Sequence, residues 1–124
     1  MTKAWLIGSG KMAEDYIKVL ESLKISTNVI GRGIASANNF EIKTGHAVIA
    51  GGLELYLKEN PAICSHAIVS VGVENLFDAT KLLIEYGVKN ILVEKPGALI
   101  DKEFEELVYL SESKKSNIFI NKLI

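Results

Sequence analysis

The sequence has one cysteine, Cys64, two prolines and two histidines. A lone cysteine excludes an internal disulfide and any zinc cluster built on cysteine ligands, and we expect no metal site. No apolar run approaches the roughly 20 residues that a membrane helix needs. The first eight residues, Met1-Thr2-Lys3-Ala4-Trp5-Leu6-Ile7-Gly8, are too short in their apolar part and wrongly flanked for a signal peptide. Neither charge sign is in excess: Lys plus Arg is 14 and Asp plus Glu is 15, a net charge of −1. General nucleic-acid binders carry a basic surplus, so that class is excluded. Repeats, low-complexity tracts and linkers are missing as well. The expectation is a cytoplasmic protein.

What is present is 124 residues, 48% hydrophobic and 23% charged, a globular composition with enough chain for one core. Short apolar runs alternate with helical periodicity throughout. Residues 3–7 predict a strand, followed by a glycine loop. Met12, Tyr16, Val19, Leu20 and Leu23 then fall on one helix face. Strands are expected at 27–30, 47–50, 67–71, 90–93 and 117–120, and weaker or shorter helices at 36–44 and 53–59. Leu76, Ala79, Leu83 and Tyr86 line a helix that stops at Gly87, a C′ glycine. Asp101 reads as the N-cap of a last helix, with Phe104, Leu107, Val108 and Ser111 on one face and Lys114 and Lys115 in its final turn. Continuous apolar strands alternating with helices mean an α/β fold with a parallel sheet covered on both faces. Six such units give a doubly wound sheet of order 3-2-1-4-5-6, the Rossmann arrangement.

Gly8-Ser9-Gly10-Lys11-Met12-Ala13 is G-x-G-x-x-A, placed between the first strand and the first helix. Gly8 permits the tight turn, Gly10 lets a pyrophosphate approach the backbone, and Ala13 keeps the helix close to the sheet. Free amides at the helix N-terminus would hold the phosphates. The alternative is a turn with no ligand.

An acidic residue about 20 positions on normally bonds the ribose 2′-hydroxyl of NAD. Here that place reads Gly31-Arg32-Gly33, and the next acid, Glu41, lies inside the following helix. Arg32 could bind a 2′-phosphate and stack on adenine, with Ser36 and Asn38 as further donors. These residues favour NADP over NAD.

Val93-Glu94-Lys95-Pro96-Gly97 follows the fifth strand at the end where open α/β sheets bind ligands. Lys95 could stand near the nicotinamide and give or take the proton of a substrate hydroxyl. Pro96 fixes the backbone, and the Lys95–Pro96 bond is a candidate for the cis form. His46 and His66 precede the third and fourth strands, at the opposite end of the sheet. Cys64 reads as a small buried residue.

G-S-G-K-M-A after the first strand together with V-E-K-P after the fifth resembles the Gfo/Idh/MocA oxidoreductases, two-domain NAD(P)-dependent enzymes acting mostly on sugars and cyclitols. The likeness covers essentially residues 1–124 but only that family's N-terminal, nucleotide-binding domain. It implies that Lys95 is catalytic, and that Glu94, Pro96, Ser70 and Val71 line the cofactor. The family's T-P-N loop is only partly echoed here, by Asn75 in the stretch after Ser70-Val71-Gly72. The resemblance also implies a second domain that supplies most sugar contacts and is absent here. On that reading the chain binds a nicotinamide dinucleotide with little turnover of its own, and a sugar-type substrate only with a second domain. The other class to weigh is a nucleotide-binding or redox-sensing module without catalysis, in which Lys95 is dispensable. Ile118, Phe119 and Ile120 on the last strand, with Leu123 and Ile124 beyond, form an apolar edge that predicts self-association.

Overall fold

Alternation along the first strand divides the molecule into layers. In β1 (Lys3–Ile7), Trp5 and Ile7 enter one apolar cluster while Ala4 and Leu6 enter another on the opposite face. The computed structural model describes residues 3–94 and 101–120. Within them the chain runs β1, α1 (Lys11–Ser22), β2 (Ser26–Ile30), α2 (Ile34–Thr44), β3 (Val48–Ile49) and α3 (Leu53–Lys58). It continues through β4 (His66–Val69), α4 (Val73–Tyr86), β5 (Asn90–Val93), α5 (Asp101–Lys114) and β6 (Asn117–Ile120).

All pairings are parallel and the order is β3-β2-β1-β4-β5-β6, as the sequence pattern predicts. Ala13, Ile17 and Leu20 of α1 and Phe40 of α2 pack on Ala4, Leu6 and Val29. Helices α3, α4 and α5 cover the other face, where Leu57, Leu83, Ile84 and Leu107 meet Trp5, Val69, Ile91 and Val93. Trp5 is fully buried, edge-on to Tyr56 at 5.3 Å. Each such large apolar side chain contributes about 1.5–3 kcal/mol by leaving water.

The first helix corrects the expected face. Leu20 is buried and Tyr16 packs against the same cluster as expected, but Met12, Val19 and Leu23 are 51%, 55% and 63% exposed, and the buried stripe is Ala13, Ile17 and Leu20. The two stripes share Leu20, and their centres lie about one residue, or roughly 100°, apart on the helix. The small side chain of Ala13 decides between them, because it lets the backbone approach the sheet where Met12 would hold it away.

Element ends also shift. Helix α2 begins at Ile34 rather than 36, β3 shrinks to Val48–Ile49, and β4 covers His66–Val69. Ser70 and Val71 therefore stand beyond the strand. Asp101 is the first residue of α5 and not its N-cap; it and Glu103 place acid in the first turn, where the helix dipole favours it. Of the expected α5 face, Leu107 and Ser111 are buried while Phe104 and Val108 are 44% and 39% exposed. Lys81 of α4 bridges Glu106, so α4 lies on that side of α5, and helical geometry turns Phe104 and Val108 the other way. Gly87 caps α4 as expected. It is left-handed at φ 108°, and Val88 donates its amide to the Leu83 carbonyl.

Candidate functional site

The row of backbone amides just past the strand ends builds the site. Gly31 donates to the Ile49 carbonyl, Gly8 to Ile30, Ser70 to Ile7 and Glu94 to Val69, all at 2.8–2.9 Å. Each strand exit is thus held by its neighbour, and four loops start level along the C-terminal edge of the sheet. That is the edge at which open α/β sheets take ligands.

Gly8 is the tightest point. Its φ is +119°, and a Cβ there would lie 2.1 Å from the Ser70 carbonyl oxygen. Only glycine lets β1 turn so close to the loop after β4. Gly10 is different. It caps α1 with no side-chain hydrogen bond, and nothing stands within 4 Å of where its Cβ would be. The first-turn amides of α1 therefore open toward free space. Gly33 caps α2 in the same way, with no side-chain cap and the same empty surroundings. Two helix N-termini with no side-chain cap and positive dipole ends border one cleft, an arrangement suited to phosphate.

The cleft holds about 550 Å³. It brings together Gly8, Ser9, Gly10, Arg32, Ser70 and Val71 of the expected site residues, with Ser36 and Asn75. Ser9 is buried, and its hydroxyl lies 3.3 Å from that of Ser36, tying the glycine loop to the first turn of α2. Arg32 is exposed at the mouth and belongs to no ion pair among the described residues. Among the described residues the buried Ser70 hydroxyl has no hydrogen-bond partner. Such a group is uncommon in a folded protein and calls for a ligand or ordered water.

Other expected residues fall elsewhere. Lys11 and Met12 are exposed on the first turn of α1 and do not line the cleft, while Ala13 is fully buried against the sheet. Asn38 is on the exposed side of α2. Glu94 is half-buried just past β5, and the Tyr16 hydroxyl donates to its Oε2. Lys95 and Pro96, with the bond between them, lie outside the described residues.

Several lining residues escaped the sequence reading. Gly51 and Gly52 donate amides to the Arg32 and Gly31 carbonyls, at 3.2 and 2.8 Å. This stitches the loop after β3 to the loop after β2 and brings Glu54, in the first turn of α3, into the wall that carries Arg32. A carboxylate is therefore present, from another strand than expected. The Gly51-Gly52 pair was the signal, since adjacent glycines mark close backbone approach. On the α4 side the cleft is lined by Asp78, Lys81 and Glu85. The Glu106 carboxylate hydrogen-bonds Lys81 at 2.9 Å and raises the pKa of its ammonium.

His46 and His66 sit at the N-terminal ends of β3 and β4, away from the cleft. Cys64 is buried, and desolvation pushes its thiol from 9.0 up to about 11, so it is inert at neutral pH. Among the described residues no group of His, Cys, Asp and Glu could hold a metal ion, and no helix is long and apolar enough to cross a membrane.

No family model and no curated protein matches the sequence. Solved structures share the fold. The WlbA dehydrogenase of Chromobacterium violaceum, in complex with NADH and UDP-GlcNAcA, superposes over 98% of this chain with a TM-score of 0.77 at 18% identity. A Gfo/Idh/MocA family oxidoreductase from Vibrio cholerae does so over 98% with a TM-score of 0.80 at 17% identity. Biliverdin reductase from Synechocystis, in complex with biliverdin and NADP+, matches over 97% with a TM-score of 0.76 at 15% identity. The chain spans 35%, 38% and 37% of the length of these three proteins.

Proposed function

We propose that this chain is the dinucleotide-binding domain of an NAD(P)-dependent oxidoreductase of the Gfo/Idh/MocA type, acting in the cytoplasm on a sugar or sugar-like alcohol or carbonyl. The carrying observation is the cleft itself. A glycine turn pressed against Ser70, two helix N-termini without a side-chain cap and a buried hydroxyl with no partner among the described residues converge on one space. The fold neighbours in complex with NADH and with NADP+ support the same ligand class.

The residues present fit such a group. The amides at the start of α1 would hold the pyrophosphate, with Gly10 leaving room. Ser70 would donate to the ligand, and Val71 would pack beside it. The bound nicotinamide supplies or accepts hydride. Lys95 would give or take the proton of the substrate oxygen, with Glu94 and Pro96 flanking it. Positioning a substrate supplies much of catalysis, so a domain that holds cofactor but few substrate contacts turns over little.

For the cofactor's second ribose, two residues of the same wall compete. Arg32, with Ser36 and the open end of α2, favours the 2′-phosphate of NADP. Glu54 offers the carboxylate that a free 2′-hydroxyl prefers. The guanidinium belongs to no ion pair among the described residues, and we favour NADP.

We further propose that the β6 edge pairs with a second copy. Phe119 is 55% exposed on one face of this edge, and Phe104 and Val108 are exposed on the side of α5 turned away from α4.

Thermal melts test the ligand class. At a hundred times Kd a ligand adds about 2.7 kcal/mol, or roughly 10 °C for a domain of this size. NADPH and NADH are expected to raise the midpoint. A rise produced equally by ATP would reject a dinucleotide site.

A further inference from the structure

Two hydroxyls from different loops share one corner of the cleft. Ser9 follows β1 in the glycine loop and is only 8% exposed, while Ser36 stands exposed in the first turn of α2. Their oxygens lie 3.3 Å apart, and either can be the donor. Gly31 makes room for this pairing. Its φ is not positive, so its own conformation asks for no glycine. A Cβ there would instead stand 2.6 Å from the Ser9 hydroxyl oxygen and 3.0 Å from Val48 Cγ1. A side chain at position 31 would therefore push the Ser9 hydroxyl away from Ser36.

A serine hydroxyl carries one proton and two lone pairs. Ser9 is sealed in the wall, and Ser36 is its hydrogen-bond partner among the described residues. The choice of donor ends when Ser36 meets a ligand. A phosphate dianion offers acceptors alone, so Ser36 must spend its proton on it, and Ser9 must then donate to the Ser36 oxygen. The two bonds run in one direction and polarise each other. A ribose 2′-hydroxyl both donates and accepts. It fits either direction of the pair and draws no particular support from Ser9.

The geometry points to Ser9 as a positioning residue for the 2′-phosphate of NADP. Ser9 acts through Ser36, whose proton it leaves free for the anion. This rests on reading Arg32 and Ser36 as the 2′-phosphate site. Part of the preference for NADP thus comes from the glycine loop, and not only from the loop after β2.

Calorimetric titration with NADPH and with NADH compares the wild-type chain with Ser36→Ala, Ser9→Ala and the double variant. Ser36→Ala is expected to weaken NADPH about tenfold, the worth of a hydrogen bond to a charged group, and Ser9→Ala about fivefold. The double variant is expected to bind NADPH no more weakly than Ser36→Ala alone, because the two residues act as a unit. NADH, which offers no 2′-phosphate, is expected to change by less than about twofold throughout. Ser9→Cys keeps the buried volume with a poor donor and takes the place of Ser9→Ala should that variant not fold. Equal losses for NADPH and NADH in Ser9→Ala overturn the inference and leave Ser9 shaping the glycine turn. Additive losses in the double variant overturn it as well. Undiminished NADPH affinity in Ser36→Ala overturns it too, while a loss in Arg32→Ala would keep the NADP reading. Wild-type binding no tighter for NADPH than for NADH rejects that reading and this inference together.

Discussion

Gly8 and Ser70 meet backbone to backbone across the glycine turn: a Cβ on Gly8 would stand 2.1 Å from the Ser70 carbonyl oxygen. The contact joins the loop after β1 to the loop after β4. Neither side can yield, because the Ser70 amide is itself bonded to the Ile7 carbonyl at 2.8 Å. Gly8→Ala must therefore bear both a positive φ and a main-chain clash, on the order of 3 kcal/mol together. Chemical denaturation is expected to show that loss, along with loss of dinucleotide binding. A Gly8→Ala protein as stable as the wild type would contradict the contact.

Arg32 and Glu54 separate the two cofactors. Arg32→Ala is expected to weaken NADPH binding by about tenfold or more, the worth of a hydrogen bond to a charged group, with little change for NADH. Glu54→Gln is expected to weaken NADH and spare NADPH. Calorimetric titration of both variants with both cofactors reads this directly. Equal effects on the two cofactors would remove the assignment of Arg32.

Cys64 gives the fold a dependence on alkaline pH. Burial raises its thiol from 9.0 to about 11, so between these values the native state binds the proton more tightly than the unfolded chain. Its contribution is intact below pH 9 and is lost as the pH climbs toward 11. Cys64→Ala is expected to flatten that part of the stability curve, seen as a smaller fall in urea midpoint over this range than the wild type shows. Modification of native Cys64 by a disulfide reagent at pH 8 is expected to be slow against the unfolded chain.

Self-association through β6 is expected to rise with concentration in sedimentation experiments. It is expected to disappear in Phe119→Lys, which places charge on the edge, and on removal of residues 117–124. A wild type that stays monomeric at millimolar concentration would dismiss the second copy.

Architecture was legible because it depends on coarse periodicity. Continuous apolar runs such as Ala4-Trp5-Leu6-Ile7 mark strands buried on both faces, and six of them with intervening helices allow few parallel topologies. The glycine loop was legible too, since G-x-G-x-x-A needs only its strand and helix as context. The face of α1 was not. Met12 and Val19 are as apolar as Ile17, and only the close approach at Ala13 makes one stripe the inner one. Glu54 was hidden because backbone bonds from Gly51 and Gly52, and no sequence spacing, bring it into the cleft that Arg32 also lines. Tyr16 was read as one more apolar position, since its partner Glu94 is 78 residues away. Periodicity reports burial; it carries no information about a hydroxyl's partner on another strand.

The most direct measurement is a titration of the purified chain with NADPH and with NADH. Binding would be read by calorimetry and by energy transfer from Trp5, which is buried in the central strand β1. Saturable binding of one molecule per chain, tighter for NADPH and abolished by Gly8→Ala, is the predicted result. A folded chain that takes up neither dinucleotide at millimolar concentration would contradict the account at its centre.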